Sequence, residues 1–318
     1  MILATALLLG GVVIGWWGPR ALHSLSGVVD PAIVIVCWLA AMVGTGVTVL
    51  AGGLLLVLPG HGPAGTITQA MHHCWAALGH SHLPQLDPAV AALSLAVAAV
   101  VLVRMAASTA RTARRQDAVR RPHLEALRIL RPSRDGVAPM LWIEHDRPMA
   151  YSLGGRDALI VATRSLADRL SPDELRAVLA HEHAHLHGRH HQVIAIAETV
   201  AKALGFVPLM RLAPGVLRLQ VELAADRAAV RECGRGAVRS ALLTLTAQST
   251  LPGALAMAGG ETAARLRHLE RTDTWPRAVR HFVTGVAAVL AVALPTLTAF
   301  ALLGALSVLV CPLLPSAG

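Results

Sequence analysis

Apolar residues fall into long uncharged blocks near both ends of the chain, and the polar residues concentrate between them. Three blocks lie in the first third, at residues 1–17, 31–58 and 88–103, and a fourth covers residues 282–310. A membrane-spanning helix needs about 20 predominantly apolar residues, with a range of about 17–25. The pattern therefore predicts a mainly α-helical membrane protein with about four transmembrane helices.

The charged middle of the chain predicts one domain between the third and fourth spans. A basic helix is expected first, over residues 111–134, and then short runs of β-forming residues with Gly154 and Gly155 at a turn. The runs that predict a small β-sheet are residues 140–145, 149–153 and 158–163. The sequence is thus divided into a membrane region at 1–110, an α+β domain at 111–280, and a last span with a short tail at 281–318.

The distribution of arginine predicts the orientation. Nine arginines lie between residues 104 and 134, whereas residues 59–87 contain no Lys or Arg. Cytoplasmic loops carry the excess of basic residues, so the domain is expected in the cytoplasm of a multi-pass inner (plasma) membrane protein, with both termini outside. The net charge of +9 lies beside apolar blocks and comes with few aromatic residues. This favours the lipid bilayer as a partner and argues against direct nucleic-acid binding.

One helix of the domain has a clear beginning. Ser171 is a favourable N-cap, Pro172 suits the first helical position, and Glu174 completes a capping box. Apolar residues then recur at helical spacing as far as Leu186. The helix is therefore predicted to include both histidines of the run His181-Glu182-His183-Ala184-His185.

That run is an HExxH motif, and it predicts a zinc site. Residues i and i+4 lie on one face of a helix, so His181 and His185 are placed to bind one Zn²⁺. Glu182 is the candidate general base. Zinc in a catalytic site needs a third protein ligand. Glu222 is one candidate, with Asp226 one turn later placed to accept the N–H of a ligating histidine.

A second pattern leaves the third ligand open. His181, His185, Gly188 and His191 also satisfy HExxHxxGxxH, in which His191 binds the metal. Against this, the residues after Gly188 predict a continued helix that carries His191 away from the other two. For oxyanion stabilisation the candidates are Arg227, Tyr151 and His268, and residues 158–163 are expected to offer a strand edge to an extended substrate.

These motifs resemble those of the BlaR/MecR family of integral-membrane zinc metallopeptidases, gluzincins related to HtpX and the CAAX prenyl proteases. The resemblance rests on residues 150–153, 158–166, 171–185 and 222–226 and on the four-span layout. It implies one Zn²⁺ per chain held by His181, His185 and Glu222, with Glu182 as base and Asp226 behind the ligands. No penicillin-binding sensor domain follows the last span, so sensing of β-lactams by acylation is not expected.

The resemblance also implies a function. Members of that family relay a signal across the membrane, and the peptidase domain leads to cleavage of a BlaI/MecI-type winged-helix repressor. The expected activity is endopeptidase cleavage of such a cytoplasmic protein. The alternatives are a quality-control or processing peptidase of the HtpX or CAAX-protease type, and a metal-binding membrane sensor without enzyme activity. The sequence does not predict the oligomeric state.

Overall fold

The computed structural model describes residues 2–26, 29–57, 87–129, 140–155, 158–247 and 254–270, together with isolated positions between 282 and 293. The elements in chain order are α1 (Ile2–Leu25), α2 (Pro31–Val57), α3 (Asp87–Ile129), β1 (Met140–Ile143), β2 (Ala150–Leu153), β3 (Leu159–Thr163), α4 (Arg164–Arg169), α5 (Pro172–His187), α6 (His190–Leu204), α7 (Pro208–Cys233), α8 (Arg235–Ala247) and α9 (Ala254–Glu270). The described residues are therefore mostly helical, and their three strands form one small sheet.

The first three apolar blocks are all helical. By length and composition, Pro31–Gly53 within α2 is the one candidate membrane span among the described residues, with a mean hydropathy of 2.4. α1 continues through Pro19 to Leu25, beyond the predicted end at residue 17. α3 joins the third apolar block and most of the basic arm into one helix of 43 residues. Residues 59–86 of the predicted loop at 59–87 lie outside the described residues, as does nearly all of the predicted fourth span.

The three strands form a sheet in the order β1-β3-β2. β2 pairs antiparallel with β3, as the glycine-containing turn predicted, and β1 pairs parallel with β3. β3 is buried along its whole length because it lies between the two other strands. The prediction that residues 158–163 offer a free edge to a substrate is therefore wrong. Among the described strands, β2 is the one that presents an open edge towards α5.

The N-terminus of α5 has the structure that the sequence predicted. The Ser171 hydroxyl accepts from the backbone N–H of Glu174, and the Glu174 carboxylate accepts from the backbone N–H of Ser171. The other end differs from the prediction. α5 ends at His187, Arg189 takes a left-handed conformation with φ of 50°, and α6 begins at His190. The expectation of one continuous helix through residues 190–197 is wrong, because Gly188 and Arg189 turn the chain.

α7 is the central helix of the described structure. Its buried side chains Leu209, Met210, Ala213, Leu217 and Val221 share one apolar core with α2 and with Ala197 of α6. At its far end Arg227 forms an ion pair of 2.6 Å with Asp30, the residue that precedes α2. α5 and α8 pack on the opposite side, where Ala229 meets Ala177, Ala180 and Val238. α7 thus joins the N-terminal apolar helices to the helix that carries HExxH.

Candidate metal centre

Three side chains from α5 and α7 bring their ligand atoms together. His181 and His185 lie one turn apart on α5, and their Nε2 atoms are 3.0 Å apart. Glu222 reaches them from α7, with Oε2 at 3.3 Å from His181 Nε2 and Oε1 at 3.4 Å from His185 Nε2. Among the described residues, these three form the group whose potential ligand atoms converge on one point.

The spacing of these atoms fits zinc. Zn²⁺ binds imidazole nitrogen and carboxylate oxygen at about 2.0–2.2 Å in tetrahedral sites, which places its ligand atoms about 3.3 Å from one another. The three measured separations of 3.0–3.4 Å are close to that edge length. Two imidazoles and one carboxylate are also a donor set that catalytic zinc sites use, with the fourth position open. The residues therefore fit the metal that the motif predicts.

Asp226 fixes the orientation of the first histidine. It lies one turn after Glu222 on α7 and is 1% exposed, with Oδ1 at 2.9 Å from Nδ1 of His181. A carboxylate that accepts the outer N–H of a ligating histidine holds the ring so that its other nitrogen faces the metal. The carboxylate is held in turn by Arg265 of α9, whose Nε and Nη2 donate to Oδ2 and Oδ1 at 2.7 Å each.

The electrostatics of the centre favour a cation. Burial opposes protonation of His181, but hydrogen bonds with Asp226 and Glu222 outweigh it and raise its pKa to about 9. Burial alone would raise the pKa of Asp226, yet His181 and Arg265 lower it to about 2. Burial also opposes ionisation of Glu222, but its hydrogen bond with His181 lowers the pKa of its carboxyl group, so Asp226 and Glu222 are both ionised at neutral pH. The negative charge of these two carboxylates stabilises a proton on the His181 imidazole, and the same charge attracts a divalent ion.

Glu182 lies beside these ligands in a cavity of about 840 Å³. Burial raises the pKa of its carboxyl group, against the lowering effects of His181 and of hydrogen bonding with Ser152. Tyr151 and Ser152 of β2 line the same cavity, which brings the open edge of the sheet next to HExxH. The arrangement therefore provides three ligands, a buried carboxyl group next to them, and a strand edge, all facing one space.

The remaining predicted residues fall in different places. Tyr151 and His191 line the cavity, but Arg227 and His268 are not among its lining residues. Arg227 instead pairs with Asp30, so it is removed from the oxyanion candidates. The imidazole of His191 lies over Gly154, where an added Cβ atom would come within 1.9 Å of the ring. His191 is outside the converging group although it is close to it.

Sequence reasoning missed two residues of the centre. His190 begins α6 and brings its Nδ1 within 3.0 Å of Nδ1 of His185, because Arg189 turns the chain back. Burial lowers the pKa of His190 to about 4, so this imidazole is neutral at pH 7. Arg265 is the second, and besides Asp226 it approaches Glu222 at 3.3 Å. Neither His190 nor Arg265 belongs to a short motif, so the spacing of residues along the chain could not predict that they reach the centre.

Two histidines on α5 and a glutamate on α7 form the type of site that metallopeptidases have. Comparison with known proteins supports this class. The BlaR1 peptidase M56 family matches residues 68–269, which is most of the chain. The chain belongs to the BlaR1 peptidase M56 family. It is therefore a metallopeptidase of a membrane-associated family.

A curated relative supports the same class over a shorter stretch. The protease HtpX homolog of Aquifex aeolicus (strain VF5) is 38% identical over 68 residues. The match covers 21% of this chain and 22% of the relative, so it spans about a fifth of either protein. No solved structure matches the chain significantly.

Proposed function

We propose that the protein is a zinc-dependent endopeptidase with its catalytic centre at His181, His185, Glu222 and Glu182. The observation that carries this is the convergence of two imidazole nitrogens and one carboxylate at 3.0–3.4 Å, beside a buried glutamate. A purely structural histidine cluster has no need of a third ligand from a different helix. It also has no need of a cavity large enough for a peptide segment.

Each residue of the centre has a task in peptide hydrolysis. Zinc, when bound by the three ligands, would lower the pKa of water and polarise the scissile carbonyl group. Glu182 accepts the proton of the attacking water and delivers it to the leaving amine. Burial raises the pKa of its carboxyl group, which makes the carboxylate a stronger base towards the proton of water. Tyr151 is the remaining oxyanion candidate from the sequence, since it lines the cavity and the other two candidates do not.

The substrate is proposed to bind as an added strand along β2. β2 has an open edge, and its residues Ala150, Tyr151 and Ser152 line the cavity beside Glu182. An extended peptide gains main-chain hydrogen bonds from such an edge, and alternate side chains enter pockets. This replaces the edge that the sequence suggested at residues 158–163, because β3 is enclosed by its neighbours.

In the cell, we propose cleavage of a cytoplasmic protein, with a BlaI/MecI-type winged-helix repressor as the first candidate. Membership of the BlaR1 peptidase family supports this choice. The arrangement proposed for the chain is four spans, with the domain at 111–280 cytoplasmic and both termini outside. The arginines between residues 104 and 134 support that orientation.

A second candidate is a quality-control or processing peptidase of membrane proteins. The similarity to the protease HtpX homolog favours it, since the identity reaches 38% where the two chains align. Both candidates share the same chemistry and differ in the substrate. Quantitative proteomics of cells that express wild type or Glu182→Gln would separate them. Accumulation of one repressor in the variant supports the first, and accumulation of many membrane proteins supports the second.

The chemistry itself is tested on the purified protein. Glu182→Gln should retain zinc and lose peptide hydrolysis, because Glu182 is proposed as a base and not as a ligand. Loss of a general base lowers the rate by about 10²–10⁴-fold. Zinc content by mass spectrometry and cleavage of a peptide library are the two measurements. A fully active Glu182→Gln variant would reject Glu182 as the base. Cells in which the Glu182→Gln variant functions fully although the purified variant hydrolyses no peptide would instead favour the metal-binding sensor.

A further inference from the structure

The exposed large apolar side chains of the three N-terminal helices form a band that ends at a common level. They lie at residues 9–17 of α1, 43–50 of α2 and 93–103 of α3. Large exposed apolar surface on a soluble domain is unfavourable, whereas a lipid environment stabilises it. We call these three stretches the apolar band.

Contacts between α1 and α2 define where the band ends. A Cβ atom on Gly11 would lie 2.7 Å from Val49, and Leu7 belongs to a cluster with Ala51. The two helices are therefore antiparallel, and residues 15–17 of α1 lie level with about residues 41–45 of α2 at about 1.5 Å rise per residue. Trp16 and Trp17, both exposed, mark this level on α1.

α2 changes its surroundings at the same level. Val34, Trp38 and Met42 are at most 5% exposed and belong to the core formed with α6 and α7, whereas Val43 is 59% exposed. The apolar run of α2 therefore has two parts. Residues 31–42 pack mainly against the peptidase domain, and residues 43–50 belong to the apolar band.

The turn between α6 and α7 reaches this level from the peptidase side. A Cβ atom on Gly15 would lie 2.8 Å from Val207, so the turn touches α1 just where the band ends. On the other side, Arg104 of α3 donates to the carbonyl oxygens of Lys202 and Ala203 at 3.1 and 2.8 Å. Two independent contacts thus place residues 205–207 at the edge of the band.

The composition at this edge is that of a membrane interface. Phe206 is 65% exposed and Leu212 is 40% exposed. The helices that meet at this edge also carry exposed cations, at Arg20, Arg104, Lys202 and Arg211. Between residues 190 and 221 the only acidic residue is Glu198, which pairs with Lys202 and Arg218. Aromatic and basic residues together are enriched where proteins meet anionic headgroups.

We propose that the α6–α7 turn is a membrane anchor of the peptidase domain, in which Phe206 and Leu212 enter the headgroup region and the surrounding cations bind anionic lipids. α2 then enters the bilayer at about residue 43 and not at Pro31. The proposal rests on the membrane-spanning arrangement given above, but not on zinc or on hydrolysis.

The anchor limits the distance from the membrane to the metal centre. Glu222 follows Val207 by 15 residues, almost all of them in α7, which corresponds to about 22 Å along the helix axis. An extended chain covers that distance with about seven residues. The centre is therefore within reach of the segment that immediately follows a transmembrane helix of a substrate, as well as of soluble proteins.

Fluorescent labels on single cysteines test the anchor. The native cysteines of the full chain are replaced, and an environment-sensitive fluorophore is attached at residue 206, 97, 47, 192 or 32 in separate proteins. Each protein is placed in nanodiscs of phosphatidylethanolamine and phosphatidylglycerol, with and without lipids that carry a quencher near the headgroup. Gln192 and Ala32 are exposed positions on α6 and α2 and serve as matched controls.

We expect quenching and a shift of emission to shorter wavelength at Val97, Val47 and Phe206, and neither at Gln192 or Ala32. Quenching at Val97 without quenching at Phe206 would overturn the anchor and leave the spanning helices intact. Quenching at Ala32 would place the whole of Pro31–Gly53 in the bilayer and also overturn it. An unquenched label at Val97 would reject the spanning arrangement, and the anchor with it.

Discussion

Arg265 holds Asp226 with two parallel hydrogen bonds, from Nε to Oδ2 and from Nη2 to Oδ1, each 2.7 Å long. Asp226 is almost completely buried and in turn contacts Nδ1 of His181 at 2.9 Å. A guanidinium from α9 therefore orients, through one carboxylate, an imidazole of α5. The geometry of the proposed zinc centre depends on three helices, although its ligands come from two.

This relationship predicts that Arg265→Lys weakens metal binding. Lysine keeps the charge but lacks the planar fork that grips both oxygens. Loss of such an outer partner lowers metal affinity by about 10–100-fold. Competition with a chromophoric chelator measures the affinity directly and does not depend on turnover. Arg267→Lys, an exposed change on the same helix, is the control. Equal zinc affinity in the two variants would show that Arg265 does not position the centre.

The identity of the third ligand is tested by comparing Glu222→Ala with His191→Ala. We expect Glu222→Ala to lose both zinc and activity, because the carboxylate lies 3.3–3.4 Å from both ligating nitrogens. His191→Ala should keep zinc, since His191 lies outside the converging group. Metal content and peptidase activity are the two measurements. The opposite result, with zinc lost only in the His191 variant, would assign the site to the HExxHxxGxxH pattern.

Close packing of the His191 ring of α6 on Gly154, which follows β2, predicts that a side chain at position 154 destabilises the protein. An alanine there would place its Cβ within 1.9–2.3 Å of three ring atoms of His191, so the ring must move. We expect Gly154→Ala to destabilise the domain by about 1–3 kcal/mol, as overpacking does. The same change in a His191→Ala background should cost much less, because the space is then free. Thermal unfolding of wild type, the two single variants and the double variant measures the loss of stability in each background. An equal loss from Gly154→Ala with and without the His191 ring would exclude the contact.

Glu174 predicts a pH-dependent contribution to stability at the start of α5. Hydrogen bonds from the Ser240 hydroxyl and the Ser171 backbone N–H lower the pKa of its carboxyl group below the usual 4.5. A lowered pKa in the folded state stabilises the protein above the unfolded pKa, and this contribution disappears as the pH falls through the folded value.

Glu174→Gln should therefore be less stable than wild type at pH 7, by less than about 1 kcal/mol and at most about 2–4 °C in melting temperature. The effect is small because this carboxylate is largely exposed and glutamine keeps part of the capping box. The difference should narrow below about pH 4.5 as the wild-type carboxylate is protonated. Melting curves of both proteins from pH 7 to pH 3.5 measure it. Glu270→Gln, at the exposed end of α9, is the control. A constant difference at all pH values would mean that charge has no part in the contact.

The orientation of the chain is tested by chemical labelling in intact cells. With the other cysteines replaced, a cysteine near residue 65 should react with an impermeant reagent, and one near residue 120 should not. The reason is the contrast between nine arginines at residues 104–134 and none at 59–87. The reverse pattern would place the metal centre outside the cytoplasm.

The sequence by itself determined the features that depend on neighbours along the chain. Ser171, Pro172 and Glu174 define the start of α5 because a capping box needs residues only three positions apart. His181 and His185 share a face because helical geometry fixes the spacing of i and i+4. The turn between β2 and β3 follows from adjacent glycines. The apolar blocks likewise indicated the helices α1, α2 and α3 from composition alone.

Tertiary structure decided the features that depend on residues far apart in the chain. Arg265 and His190 reach the centre through the path of α9 and through the left-handed residue Arg189, which no spacing rule anticipates. β3 lies inside the sheet because β1 pairs with it in parallel, and Arg227 turns to Asp30 because α2 packs on α7. Apolar composition cannot tell a lipid-facing helix from one buried in protein, since both environments exclude water. Only packing against α6 and α7 separates residues 31–42 of α2 from the rest of that helix.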